Sequence, residues 1–248
     1  MPNPSQIPYK ANAVQPVECI KGGWNLIKGN YWLIFAMVLV GLIIASAIPF
    51  GILLGPMMCG LYMTFFAIRR GQPIEFGILF KGFEHFGQSV VATLIHVVPI
   101  MAIIIPAYIL FYVVFLVAIM AQGNDPNGLA MLGVFLMIIV FWLVVVFIVM
   151  IISIGFTFVY PLIVDRGLTG FDAVKLSFKA AMANFWGLLG MIFLNFLLNL
   201  AGVLLCVVGV YLLMPVGYAA IAVAYEQVFG LRQGEIQPDV PPPPPVFT

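Results

Sequence analysis

Asn195 and Asn199 stand four residues apart in an otherwise apolar run. On a helix that spacing puts both carboxamides on one face. Amides in such surroundings either hydrogen-bond a neighbouring helix or line a polar cleft. His96, Ser153 and Thr157 are also set inside apolar stretches. His96 joins Asn195 and Asn199 as candidate lining of a polar cavity for a lipid head or a small solute. His85 precedes His96 by eleven residues, about 16 Å along a helix, which is too far for the pair to share a metal ion. Cys19, Cys59 and Cys206 are widely spaced, with no CxxC and no Cys/His cluster, and read as small apolar filler. No HExxH, GxSxG, phosphate-binding loop or dinucleotide fingerprint occurs. The apolar stretches carry no Asp, Glu, Lys or Arg well inside them, and such groups mark proton relays and ion paths. The sequence therefore predicts no catalytic residue, no metal, no cofactor and no enzyme.

The elements that carry these residues follow from composition. Only 8% of the 248 residues are charged and 64% are hydrophobic, against roughly a quarter charged in a soluble domain. Mean hydropathy is +1.17. A soluble enzyme, a disulfide scaffold and a disordered regulator are excluded. Ten Lys+Arg against nine Asp+Glu leave no basic surplus for nucleic acid. What remains is an all-α polytopic membrane bundle. A spanning helix needs about 20 apolar residues. Breaks at Pro49-Phe50-Gly51, at the 122–128 turn and near Gly209 and Met214-Pro215 divide the apolar runs into six spans. These are about 31–48, 52–69, 89–121, 129–164, 185–213 and 215–229. Pro99 and Pro106 fall inside the third and are tolerated as bends. Residues 1–15 read as an unstructured start with no cleavable signal, 16–230 as one transmembrane domain, and 231–248 as a Pro-rich tail.

Charge then orients the chain. Lys10, Lys21, Lys28, Arg69, Arg70, Lys81, Arg166, Lys175, Lys179 and Arg232 all fall in the N-terminal segment, the second and fourth connections, or the tail. With six spans these share one side, and positive residues stay cytoplasmic. Both termini are expected in the cytoplasm.

Residues 18–32 and 172–186 align without a gap, pairing Lys21 with Lys175, Trp24 with Phe178, Asn30 with Asn184 and Trp32 with Trp186. In each copy apolar residues recur at steps of three and four: Val17, Ile20, Trp24, Ile27, Tyr31, and Phe171, Val174, Phe178, Ala181, Phe185. That is an amphipathic helical period. A weaker third copy runs through Phe76, Leu79, Phe80, Phe83 and Phe86. Three pseudo-repeated units are expected, about 16–70, 74–164 and 170–230. Each is a cytoplasmic interfacial helix, aromatic face to the membrane, followed by a helical hairpin. Lys21, Trp24, Lys28, Trp32, Lys81, Lys175, Lys179 and Trp186 are the candidate contacts to lipid or a partner.

Tyr160-Pro161-Leu-Ile-Val-Asp165, followed by Asp172-Ala173-Val174-Lys175-Leu176-Ser177-Phe178, resembles the membrane-domain superfamily associated with glycerophosphodiester phosphodiesterases. That group includes many bacterial integral membrane proteins. The similarity covers about 156–230. In those enzymes a separate soluble domain performs hydrolysis, so the resemblance implies a membrane fold, a bacterial inner-membrane location and no hydrolase. It supplies no catalytic residues.

Pro241 to Pro245 favour an extended polyproline rod that could dock in an aromatic groove. The function expected is that of a scaffold, accessory subunit or lipid-contacting element, with membrane lipids and another membrane protein as partners. The alternative is a small permease or lipid transporter with a polar path near the fifth span.

Overall fold

A computed structural model describes residues 7–47, 51–121, 128–204 and 208–232. Every regular element among them is a helix. Ten α-helices follow in order: α1 Pro16–Ile27, α2 Tyr31–Ser46, α3 Leu54–Arg69, α4 Ile78–Lys81, α5 Phe86–Ala121, α6 Gly128–Gly155, α7 Val159–Arg166, α8 Gly170–Ala183, α9 Phe185–Leu204 and α10 Val208–Phe229. Single 3-10 turns join α1 to α2 and α4 to α5. Five stretches are long and apolar enough to cross a membrane: Pro16–Ser46, Ile78–Met120, Leu132–Arg166, Phe185–Val203 and Gly209–Phe229. The chain is thus an all-helical bundle of multi-pass membrane character. At 16 residues, or about 24 Å, α3 is shorter than these five. It nevertheless lies at the centre of the core, with Met57, Leu61, Tyr62, Phe65 and Phe66 buried.

Chain direction can be read from contacts. Phe66 of α3 packs on Tyr225 of α10, and Arg69 meets Glu226, so the two helices end together. α9 runs opposite to α10: Asn195 lies on Gly217, and Gly202 on Gly209. A side chain at either Gly202 or Gly209 would strike the other residue's backbone, which is why the hairpin closes so tightly there.

Several elements differ from the sequence reading. The fourth apolar run breaks at Phe156–Phe158 rather than continuing to Val164. Pro161 lacks an N–H and would clash with the carbonyl of Thr157 in an unbroken helix, so the break falls one turn ahead of it. Ser177 seals the gap: its hydroxyl donates to the Gly155 carbonyl at 2.6 Å and accepts from Phe158 N–H at 3.1 Å. Gly167, in the left-handed region at φ +63°, ends α7. Thr169 caps α8 by accepting from Asp172 N–H.

The final pair divides earlier than Met214-Pro215, because α10 runs through Pro215 from Val208. Proline removes the bond to Tyr211, and the next carbonyl, Leu212, accepts from the Tyr31 hydroxyl at 2.6 Å. The expected turns at Pro49-Phe50 and 122–127 and the tail fall outside the described residues.

Candidate functional site

α1 does not lie across one end of the bundle as an interfacial helix would. It packs lengthwise and antiparallel on α10. Gln15 N–H donates to Gln227 Oε1, Gly22 faces Val223, Gly23 abuts the backbone of Val216 and Ala220, and Tyr31 reaches Leu212. Cys19, Gly23, Leu26 and Ile27 form the buried face. Val17 and Trp24 of the expected apolar stripe are exposed. The same holds in α8, where Ala173, Leu176, Ser177, Ala180 and Ala181 are buried while Phe171 and Phe178 are exposed. Small residues pack against neighbouring helices and the large aromatics face outward.

The third copy is reduced to α4, four residues long, and the 3-10 turn Gly82–His85. The chain after Arg70 folds back along α3, so that side chains at Gly60 or Gly82 would strike backbone of the opposing segment. Lys81 is carried to the Pro56–Gly60 turn, away from Arg69 and Arg70. Lys21, Lys28, Lys175 and Lys179 are exposed, as is Lys81. Trp32 and Trp186 are 72% and 78% exposed at the starts of α2 and α9. Trp24, Tyr31, Trp32 and Phe35 form one aromatic cluster, with ring centroids 5.3–6.2 Å apart.

Asn195 and Asn199 share one cleft, of about 270 Å³, between α1, α9 and α10. Its other walls are mostly apolar: Ile20, Met191, Ile192, Met214 and Ile221. Gly217 makes room for the Asn195 amide, 3.1 Å from where a Cβ would stand. Asn199 Nδ2 donates to the Asn195 carbonyl at 2.7 Å. Among the described residues the Asn195 amide has no hydrogen-bond partner, so it offers the cleft a donor and an acceptor. His96 is not part of this site. Its ring stacks on Phe156 at 4.3 Å with Nε2 buried and unpartnered. Thr93, one turn before it, pairs with the Tyr160 hydroxyl at 3.0 Å.

The main polar assembly was not visible in the sequence. Asp165 closes an apolar run beside Arg166, yet its side chain is 0% exposed. Arg70 Nη2 pairs with Oδ1 at 3.1 Å, and the Tyr225 hydroxyl donates to Oδ2 at 2.9 Å. Arg232 N–H approaches both oxygens at 3.3–3.4 Å. Beside it, Arg69 Nε bonds both Glu226 oxygens at 2.8 Å. The ends of α3, α7 and α10 are thereby joined. The usable signal was Arg69-Arg70, Asp165-Arg166 and Glu226 each closing an apolar helix, a pattern that brings charges together only if those helices end side by side. Cys19 and Cys59 are buried free thiols, as filler would be, and no metal-binding cluster occurs among the described residues.

Comparison with family models, with curated proteins and with solved structures gives no match.

Proposed function

We propose that this chain is a non-enzymatic, multi-pass membrane protein of six spans that holds a lipid against its surface. The observation that carries the reading is the cleft of about 270 Å³ with two carboxamides on an otherwise apolar wall. That volume lies near the lower limit of ordinary ligand pockets. It fits a lipid's ester region, whose carbonyls an amide N–H can bond, better than a whole solute. The centre of the bundle is occupied instead by large side chains: Tyr62, Phe65, Phe66, Phe158 and Tyr225 are buried there. A filled centre favours lipid contact over a permeation path.

The six-span reading adds α3 to the five longer stretches. It is supported by α3 ending beside α7 and α10, which collects Arg69, Arg70, Arg166 and Arg232 at one end. By the positive-inside tendency that end, and with it both termini, faces the cytoplasm, and the superfamily resemblance supports a bacterial inner membrane. The internal repeat is supported by matching burial. Cys19 and Ala173, Gly23 and Ser177, Leu26 and Ala180, Ile27 and Ala181 are buried pairs, while Trp24 and Phe178, Trp32 and Trp186 are exposed pairs.

The test compares wild type with the Asn195→Leu, Asn199→Leu double variant, purified gently and weighed by native mass spectrometry. The variant is expected to lose most of its retained lipid while solute flux across reconstituted liposomes stays unchanged. Full lipid retention would refute the cleft. A fall in flux would instead favour the permease reading, for which the same two amides provide the specific support.

A further inference from the structure

Four arginines meet at one end of the bundle, and two carboxylates answer them. Both acids are already satisfied: Glu226 by Arg69, and Asp165 by Arg70, Tyr225 and the Arg232 N–H. Arg166 Nη2 is committed to the Phe229 and Gly230 carbonyls at 3.0 and 2.9 Å. Its Nε lies 3.1 Å from Asp165 Oδ2 but is buried without an aligned hydrogen bond. Among the described residues the cations of this hydrogen-bonded group therefore exceed its anions by two. Lys10 and Glu18, on the N-terminal segment that runs past Val228 and Gln227, offset one another.

The surplus is held partly out of water. The Arg70 and Arg166 side chains are only 29% and 20% exposed, at the edge of an apolar bundle, where an uncompensated cation is costly. Donors also remain. Each guanidinium carries five N–H groups in a planar fork. Among the described residues Arg69 uses only its Nε, Arg70 one terminal nitrogen, and the exposed Arg232 side chain none. Paired forks with free terminal nitrogens match the oxygens of a phosphate.

We infer that Arg69, Arg70 and Arg232 form a binding site for a phosphate-bearing anion, with Arg166 adding to its field. Asp165 and Glu226 position the arginines and do not touch the ligand. The shared chemistry is the phosphate group, borne either by an anionic lipid head or by a soluble phosphate. This site is separate from the amide cleft in both its residues and its ligand atoms, so either can fail while the other stands.

The full-length protein is placed in nanodiscs of phosphatidylcholine alone or with one third phosphatidylglycerol, and bound lipid is counted by native mass spectrometry. In detergent, inorganic phosphate is titrated while the thermal midpoint is followed. Wild type is expected to retain phosphatidylglycerol several-fold over phosphatidylcholine. Arg232→Gln should remove most of that preference, since it deletes a charge-assisted hydrogen-bond donor. Its midpoint in phosphatidylcholine should not move, because the side chain is exposed. Glu226→Gln should act oppositely and tighten anion retention, since it releases Arg69; a purely structural cluster would not give opposite signs. A midpoint raised by phosphate with no lipid preference assigns the site to soluble phosphates. Retention without a phosphate effect assigns it to lipid heads. Absence of both in wild type, or unchanged retention in both variants, overturns the site.

Discussion

Asp165 accepts a hydrogen bond from Tyr225 and pairs with Arg70 while its own carboxylate is shut from solvent. A buried carboxylate in that position is costly unless each partner remains, and removing one side of such a pair leaves an unmatched charge. Asp165→Asn keeps the shape but strands Arg70 and Arg166 with one anion fewer. It should lower stability by about 2–4 kcal/mol, read as a fall in the thermal midpoint of the detergent-solubilised protein. An unchanged midpoint would mean the cluster contributes no net stability. The residue's identity was plain from the sequence, but its burial was not. Hydropathy marks where an apolar run stops. It does not mark that Arg70, Tyr225 and Arg232, between 60 and 95 residues away, close over the same spot. Asn195 and Asn199 were more legible, because their i, i+4 spacing alone puts them on one face. His96 was grouped with them only by its apolar surroundings, and α5 carries it to Phe156 instead.

At the scale of elements, the helical period of α1 and α8 was readable, but its inner face was not. Periodicity separates apolar from polar residues, and in a membrane both the protein interior and the lipid are apolar. Large residues such as Trp24 and Phe178 satisfy the pattern while facing outward. Close approach of backbones requires the small ones, and Gly23 shows why: a Cβ there would stand 2.7 Å from Ala220 N and 3.0 Å from the Val216 carbonyl. Backbone cannot step aside as a flexible side chain can. Gly23→Ala should therefore push α1 off α10 and cost about 1–3 kcal/mol, despite the gain of up to about 1 kcal/mol in helix propensity. Gly29→Ala is the matched control. Nothing lies within 4 Å of a Cβ at that position, so its effect should stay within about 0.5 kcal/mol. Equal effects in chemical denaturation of the two variants would show that α1 is not seated on α10 as described. The break between α6 and α7 follows the same logic of local chemistry with a distant partner. Pro161 announced a disturbance, and Ser177 decides how the freed backbone groups are satisfied.

The whole molecule joins two asymmetries. Its helix ends gather arginines on one side, and its outward surfaces are apolar over most of α5 and α6, where Val98, Ile109, Leu116, Leu143 and Val146 are exposed. At 36 residues, or about 54 Å, α5 exceeds the roughly 30 Å hydrocarbon core, so it must tilt or extend past the membrane edge. The membrane class and the helical fold were legible because lipid imposes a composition no soluble domain shares. The number of passes was harder, since α3 is not among the five stretches long enough to cross, and the proposal that it makes a sixth rests on its running parallel to α10. That parity has a direct consequence. If α3 crosses, Lys10, Arg70 and Arg232 face one compartment and Gly51 the other; if it does not, Gly51 and Arg70 share a side. Single cysteines placed at residues 10, 51, 70 and 232 of a variant lacking Cys19, Cys59 and Cys206 can be labelled with a membrane-impermeant maleimide in sealed, right-side-out vesicles. Labelling at 51 alone is the expected pattern. Reaction at 70 together with 51 would remove α3 from the spans and put the two termini on opposite sides. Arg70 and Arg232, four passes apart, would still share a compartment, as their bonds to one carboxylate require, but residue 232 would then react as well and Lys10 alone would face the other side.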